Sequence, residues 1–176
     1  MTLIRIITCN IIIAAISSNI VNAQTPVVEP TFKYIPDTDY RVHPAMDTKL
    51  VLKLSERKLY LYSGGTVVRS FIVAVGKKGW ETPVGNFTIR DKIKNPAWTS
   101  FITGRVVKPG KNNPLGTRWI EFYKFSGKND VIGFHGTTDS SSIGKAVSYG
   151  CVRMYGKDVE ELYEMVVVGT DVSVVK

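Results

Sequence analysis

One short, glycine-rich stretch of this sequence holds a histidine, a cysteine and an arginine. His135 lies 16 residues before Cys151, and Arg153 follows the cysteine by two residues. A free thiol, with a pKa of about 8.5, is only a few per cent thiolate at neutral pH, so it needs a neighbouring base to attack efficiently. His135 is the candidate base, and Arg153 could hold a substrate carboxylate through paired hydrogen bonds. The pattern favours a cysteine–histidine site for acyl transfer.

The turn before the nucleophile candidate supports this interpretation. Gly150 permits a sharp bend and a close approach of substrate to the backbone. Backbone amides around such a turn can point together at a developing oxyanion. Taken singly, an inert buried thiol, a structural histidine and a solvated arginine are the alternatives. Their joint occurrence in one stretch favours catalysis.

The first 23 residues have the pattern of a secretory signal peptide. A positive start (residues 1–5) precedes an apolar segment (residues 6–16), and small residues end at Ala23. A single membrane anchor is the alternative, but the apolar segment is short for a span of about 30 Å. Cleavage after Ala23 would remove Cys9 and leave Cys151 as the only cysteine. In the oxidising surroundings of exported proteins, where cysteines normally pair, a lone cysteine is a buried thiol, an intermolecular bridge or a nucleophile.

Composition narrows the class of protein. The chain has 176 residues, of which 44% are hydrophobic and 22% charged, and its net charge is +8. No uninterrupted apolar stretch reaches about 18 residues, which excludes a multi-span membrane protein. For an exported chain, the basic charge favours the acidic cell envelope over nucleic acid as a partner, and a charge that only keeps the protein soluble is the alternative. No cofactor or metal is expected, because one cysteine and two distant histidines, His43 and His135, cannot build a metal site; His43 is expected to be a surface residue.

The hydrophobic pattern predicts one mostly β domain after a linker. Residues 24–46 carry four prolines and no periodicity, which indicates an N-terminal arm or linker. From residue 47 to residue 176, alternating patterns predict strands and a helical pattern predicts one helix over residues 155–165, ended by Gly169. The predicted architecture is a sandwich or barrel of mixed strands with one or two short helices. The strands are predicted at residues 50–54, 59–62, 66–75, 84–93, 118–123, 131–134 and 172–175, with a hairpin turn at Ser63-Gly64-Gly65.

Several spaced motifs follow one another along the predicted domain. They are Thr82-Pro83-Val84-Gly85-Asn86-Phe87, Asn113-Pro114-Leu115-Gly116, His135-Gly136-Thr137, Ser142-Ile143-Gly144 and Ser148-Tyr149-Gly150-Cys151-Val152-Arg153-Met154. In this order they closely resemble the motifs of the L,D-transpeptidase catalytic domain family (the YkuD-type domain). The resemblance runs from about Thr48 to Val175 and so covers nearly the whole predicted domain.

The resemblance implies a chemistry and a role for each matched residue. The expected protein is an L,D-transpeptidase-type β fold that acts on peptidoglycan. Its cysteine attacks a tetrapeptide stem, releases the terminal D-alanine and passes the acyl group to an amine. An amine of a neighbouring stem gives 3→3 cross-links, and another amine, such as a protein lysine, is the alternative acceptor. Cys151 is then the nucleophile and His135 the base. The Gly136 carbonyl orients the imidazole, and the Gly150 and Cys151 amides bind the oxyanion; Ser148 and Arg153 support the site and bind substrate.

One position departs from the family pattern. Many members have histidine immediately before the Gly-Cys pair, where this chain has Tyr149. Tyr149 is expected to contribute to substrate binding, as a hydroxyl or an aromatic wall. The functional interpretation of the 76–79 loop is that Lys77 and Lys78, together with Trp80, line the substrate groove; simple hairpin turns are the alternative.

The resemblance also predicts biological setting and partners. We expect a monomer in the periplasm or cell wall, acting in peptidoglycan biosynthesis, cell wall biogenesis and cell shape. Peptidoglycan stem peptides are the expected substrates, and carbapenem β-lactams are expected covalent inhibitors. An L,D-carboxypeptidase, which uses water as acceptor, is one alternative, and a non-catalytic cell-wall-binding module is another. A sortase-like cysteine enzyme is disfavoured by the short His135–Cys151 separation and by the position of Arg153.

Overall fold

The computed structural model describes residues 47–100, 102–125 and 131–176. The predicted signal peptide (1–23) and arm (24–46), with His43, lie outside these residues. The strands, in chain order, are β1 (Thr48–Lys53), β2 (Lys58–Ser63), β3 (Thr66–Ile72), β4 (Val75–Gly76), β5 (Gly85–Thr88), β6 (Asp91–Lys94), β7 (Trp98–Thr99), β8 (Val106–Val107), β9 (Arg118–Lys124), β10 (Val131–His135), β11 (Ala146–Ser148), β12 (Val152–Arg153) and β13 (Asp171–Val175). The helices are a 3₁₀ turn at Ser140–Ser142 and α1 at Gly156–Met165.

The first sheet has five strands in the order β3-β2-β1-β13-β5. Its pairing follows the leucine alternation, because Leu50 and Leu52 lie opposite Leu61 and Leu59 across the β1–β2 pair. All four leucines are fully buried, so this face of the hairpin is a wall of the core. The glycine turn joins β2 to β3 as predicted, with both Gly64 and Gly65 at positive φ.

The second sheet orders its strands β12-β10-β9-β6. Its buried side chains include Ile120, Phe122 and Phe134, which join the leucines of the first sheet in one hydrophobic core. Helix α1 adds Val159 and Leu162 to this core. The mostly β architecture with one or two short helices is therefore confirmed.

Two strand predictions were wrong in extent. The predicted strand 84–93 is two strands in different sheets, β5 beside β13 and β6 beside β9. The chain changes sheet at its centre, where the Ile89 N–H donates to the Thr170 carbonyl and the Arg90 N–H donates to the Glu121 carbonyl. The predicted strand 66–75 ends at Ile72, and β4 pairs with β11 instead.

The helix prediction is confirmed with a small change at its end. Tyr155 is the residue before the first turn of α1, and the helix ends at Met165 before extended Val166. Gly169, which was predicted to end the helix, lies beyond it in the turn to β13, at a φ of +95°.

Candidate active site

The parallel pairing of β10 with β12 brings the two halves of the predicted site together. Phe134 pairs with Val152 and His135 with Arg153. Phe134 and Val152 are fully buried in the core. Since side chains alternate across a strand, His135 and Arg153 project from the opposite face, as does Cys151 at the residue before β12. One short ladder therefore places the predicted nucleophile, base and cation on one face.

Cys151 is half-buried and lies against the backbone of β10. Its Sγ is 3.9 Å from the Val131 carbonyl oxygen, a long and weak contact for a thiol. Burial raises the pKa of the Cys151 thiol, and the Gly133 N–H and the charge of Arg153 only partly oppose this effect. The resting sulfur is therefore a thiol near neutral pH.

The His135 imidazole is held in one tautomer. Its Nδ1 lies 2.5 Å from the Gly136 carbonyl oxygen. A carbonyl can only accept, so Nδ1 carries the proton and Nε2 presents a lone pair. Burial lowers the pKa of His135 to about 4, with the Gly136 carbonyl opposing the shift and Arg153 adding to it. The ring is therefore neutral at ordinary pH and suited to act as a base.

The indole of Trp119 stacks on this imidazole. The ring centroids are 5.9 Å apart and the planes differ by 29°. The indole reaches this place because Gly133 has no side chain: a Cβ there would lie 2.9 Å from the Trp119 ring and 2.5 Å from the Ile120 carbonyl oxygen. Trp119 is thus a buried aromatic wall against His135.

The turn formed by the Asn-Pro-Leu-Gly motif packs against the backbone of Gly136. The fully buried Asn113 side chain accepts from the Leu115 N–H, which fixes the turn. Its amide donates to three backbone carbonyls, those of Pro96, Val107 and Lys108. The turn then carries Gly116 so close to Gly136 that a Cβ on Gly116 would lie 3.0 Å from the Gly136 Cα. Sequence reasoning identified this motif only as a family marker, because hydrogen bonds to distant carbonyls leave no local pattern.

Ser148 shapes the turn before Cys151. Its hydroxyl donates to the Cys151 carbonyl at 2.5 Å and accepts from the Gly150 N–H at 3.2 Å. Gly150 has a φ of +112°, which a residue with a side chain rarely adopts. The Gly150 amide is thus engaged by Ser148, while the Cys151 amide finds no acceptor in the described part of the chain.

Thr82 is a contact to this turn that sequence reasoning missed. Its hydroxyl donates to the Gly150 carbonyl at 2.8 Å and accepts from the Gly76 N–H at 3.0 Å. The side chain is buried although it is polar. The only signal in the sequence was its place before Pro83 in one of the matched motifs.

Tyr149 forms an exposed aromatic wall beside the turn. The residue is 45% exposed, and its ring packs edge-to-face with the Trp80 ring, with centroids 5.3 Å apart. The Lys77 ammonium lies 4.1 Å from the centre of the Tyr149 ring. The structure therefore brings together Lys77, Trp80 and Tyr149; Lys78, also predicted to line the groove, is exposed.

Arg153 is half-buried and forms no ion pair with any carboxylate of the described residues. Its charge is felt by both His135 and Cys151, whose pKa values it lowers. A guanidinium in this position is available to an anionic group that enters the site.

Two further observations on the described residues concern metal ligands and membrane-spanning helices. No cluster of three histidine, cysteine or acidic side chains is found there that could hold a metal ion. Likewise, none of the helices in that part of the chain has both the length and the apolar character that crossing a bilayer requires.

Comparison with known proteins decides the family. Residues 47–174 match the L,D-transpeptidase catalytic domain, YkuD. The chain belongs to the L,D-transpeptidase family. The Bacillus licheniformis YkuD protein is 36% identical over 126 residues, which is 72% of this chain and 64% of that protein. Its name gives L,D-transpeptidase as an unproven activity. YqjB of Bacillus subtilis, named in the same way, is 33% identical over 129 residues, 73% of this chain and 71% of the relative.

Solved structures show the same fold. An L,D-transpeptidase in complex with imipenem superposes with a TM-score of 0.57 at 21% identity, covering 73% of this chain and 58% of that one. The chain thus spans less than two thirds of that structure and of the Bacillus licheniformis relative. The mostly β fold is that of L,D-transpeptidases, as the motifs predicted.

The pKa of His135 predicts a specific dependence of stability on pH. Because the folded pKa of about 4 lies below the unfolded value, acid favours the unfolded chain. The contribution of His135 to the free energy of unfolding should be constant above the unfolded pKa of about 6.5 and should fall by up to about 3 kcal/mol as the pH drops to 4. Urea unfolding of the wild type, His135→Gln and His43→Gln measures this slope. The glutamine at position 135 should remove most of it and the one at position 43 should not. An equal slope in all three proteins would contradict the assignment.

Proposed function

We propose that this chain is an exported cysteine acyltransferase that acts on peptidoglycan stem peptides. The observation that carries the proposal is the His135 tautomer. The Gly136 carbonyl holds the proton on Nδ1, which leaves Nε2 as a base on the strand face that also carries the Cys151 thiol. Burial keeps both groups neutral, so the pair is ready to exchange one proton when a carbonyl arrives.

The first half of the reaction acylates the enzyme. The Cys151 sulfur attacks the carbonyl carbon of the third residue of a tetrapeptide stem, and the thiol proton passes to Nε2 of His135. The oxyanion that forms accepts a hydrogen bond from the Cys151 N–H. When the C–N bond breaks, the imidazolium returns the proton to the leaving D-alanine amine. A thioester on Cys151 remains.

The second half transfers the acyl group. An amine of a neighbouring stem attacks the thioester, and His135 takes a proton from that amine. The C–S bond breaks, the thiol recovers its proton and an amide has formed, which is a 3→3 cross-link when the donor and acceptor are both stems. The neutral resting pair is suited to this cycle, since the base is available at each attack and the sulfur does not need to exist as thiolate beforehand.

Substrate carboxylates are the proposed targets of Arg153. Its guanidinium forms no ion pair in the described structure, and its charge lowers the pKa of both catalytic groups and of the exposed Asp139 carboxyl. Tyr149, backed by Trp80 and Lys77, forms the adjacent wall that would contact the stem. Ser148 keeps the turn in shape, and Gly150 supplies the bend.

The acceptor and the setting belong to the same proposal. Export through cleavage after Ala23 would place the enzyme in the periplasm or cell wall as a monomer, with roles in peptidoglycan biosynthesis, cell wall biogenesis and cell shape. Water as acceptor would make the protein an L,D-carboxypeptidase, and a protein amine would give an attached protein. Mass analysis of muropeptides with and without an added stem acceptor separates these products, because only transfer to a stem gives dimers. A cell-wall-binding module would give no product and would still sediment with cell walls.

The nucleophile is tested by intact-mass analysis with a disaccharide tetrapeptide donor. The wild type should gain the mass of the acyl group, with release of D-alanine. Cys151→Ala should gain none, and Cys151→Ser should be reduced to background, because a hydroxyl is a far weaker nucleophile with this base. In the full-length, uncleaved chain Cys9→Ser is the matched control and should behave like wild type. An adduct on Cys151→Ala would contradict the proposed role of Cys151.

Carbapenems should acylate the same thiol. They present a carboxylate beside a strained acyl carbon, and an L,D-transpeptidase of the same fold is known in complex with the carbapenem imipenem. A bidentate guanidinium holds a carboxylate better than a point charge does. We expect a stable imipenem adduct on Cys151 that forms roughly tenfold more slowly in Arg153→Lys, a loss typical of one charge-assisted hydrogen bond. Time-resolved mass spectrometry measures the rates, with Lys78→Arg as the control for an exposed cation. A wild type that turns over tetrapeptide and stays unmodified by millimolar imipenem would contradict the pocket.

A further inference from the structure

We propose that Thr82 is a positioning residue for acyl transfer, because its hydroxyl fixes the Gly150–Cys151 peptide in an orientation that lets the Cys151 N–H bind the oxyanion. The inference rests on the proposed cysteine acyl transfer, and it does not depend on the tetrapeptide being the donor. Thr82 touches no reacting atom, so it acts through the peptide that it holds.

The Thr82 hydroxyl is a relay between two backbone groups. It accepts from the Gly76 N–H at 3.0 Å, which orients its own proton towards the Gly150 carbonyl oxygen at 2.8 Å. The side chain is 2% exposed, so water cannot replace either contact easily. A buried carbonyl that lost this donor would have to find another partner by rotating its peptide plane.

The loop that carries Thr82 is built to deliver this hydroxyl. After β4 ends at Gly76, the chain forms a turn that is closed by a hydrogen bond from the Trp80 N–H to the Lys77 carbonyl. The backbone after this turn packs directly against Gly76. A Cβ on Gly76 would lie 2.1 Å from the Trp80 carbonyl oxygen and 2.6 Å from the Thr82 nitrogen, so this packing requires glycine. Pro83 then restricts the backbone of Thr82 to extended conformations.

Both ends of the Gly150 residue are therefore fixed by side chains. Ser148 accepts from its N–H and Thr82 donates to its carbonyl. In a planar trans peptide the carbonyl and the next N–H point in opposite directions, so holding the Gly150 oxygen on Thr82 turns the Cys151 N–H away from it. That N–H has no acceptor among the described residues and belongs to the nucleophile itself. It is therefore the proposed donor to the oxyanion that forms when the sulfur attacks a carbonyl.

This geometry separates two reactions of the same thiol. Attack on an ester carbonyl develops an oxyanion and needs the Cys151 N–H. Displacement of iodide from iodoacetamide forms the carbon–sulfur bond without an oxyanion. Loss of the Thr82 hydroxyl should therefore slow acylation and leave alkylation little changed, whereas a general disturbance of the site would slow both.

The test compares these two rates in a Cys9→Ser background. Acylation is followed by the release of p-nitrophenol from p-nitrophenyl acetate, and alkylation by mass analysis with iodoacetamide. Thr82→Val keeps the shape of the side chain and removes the hydroxyl, and we expect acylation to fall by roughly 10- to 100-fold, up to the lower end of the loss seen when an oxyanion donor is removed. Thr82→Ser should restore it. Thr88→Val, on the exposed face of β5, is the matched control and should match wild type in both reactions.

Several results would overturn the inference. These are equal losses of acylation and alkylation in Thr82→Val, unchanged acylation in that variant, a Thr82→Ser variant as slow as valine, or a wild type that the ester does not acylate. If valine prevents folding, judged by thermal unfolding, Thr82→Ala takes its place in the same comparison of rates. The proposed function fails separately: a wild type that ignores tetrapeptide while the ester rates depend on the Thr82 hydroxyl would leave the inference standing.

Discussion

The parallel pairing of β10 with β12 is the constraint on which the site depends. Two residue pairs, Phe134 with Val152 and His135 with Arg153, fix the register. A shift of one residue would turn Cys151 or His135 into the core, because side chains alternate along a strand. The full burial of Phe134 and Val152 holds the register through hydrophobic packing. The core therefore positions the chemistry without taking part in it.

Burial has a second consequence, which is electrostatic. It raises the pKa of Cys151 and lowers that of His135, so it opposes a thiolate–imidazolium pair from both sides. Arg153 stabilises a thiolate and destabilises an imidazolium, but burial remains the larger effect on both groups. Backbone hydrogen bonds, and not charges, therefore prepare the site for acyl transfer. The Gly136 carbonyl selects the tautomer, and the proposed oxyanion donor is an amide held in place by Ser148 and Thr82.

Local sequence patterns predicted which strands and helices form better than they predicted where each of these begins and ends. The alternation of leucines predicted β1 and β2, and the spacing of apolar residues predicted α1. The strand predicted over 84–93 was wrong because nothing local signals that Ile89 and Arg90 bond to different sheets. At the site, Cys151, His135 and Arg153 were recognised by residue type and motif. Asn113 and Thr82 were not given roles, since their partners lie far away in sequence and are backbone atoms, which carry no residue identity.

The neutral state of the Cys151–His135 pair is the central claim, and the pH dependence of Cys151 alkylation tests it most directly. The rate with iodoacetamide follows the thiolate, so it can be measured by mass spectrometry from pH 5 to pH 10 in a Cys9→Ser background. The structure predicts a rate that rises steadily through neutral pH and reaches half its maximum above the ordinary thiol pKa of about 8.5. A fast rate that is constant between pH 5 and pH 8, and that is lost in His135→Gln, would show a preformed thiolate–imidazolium pair and would contradict the account.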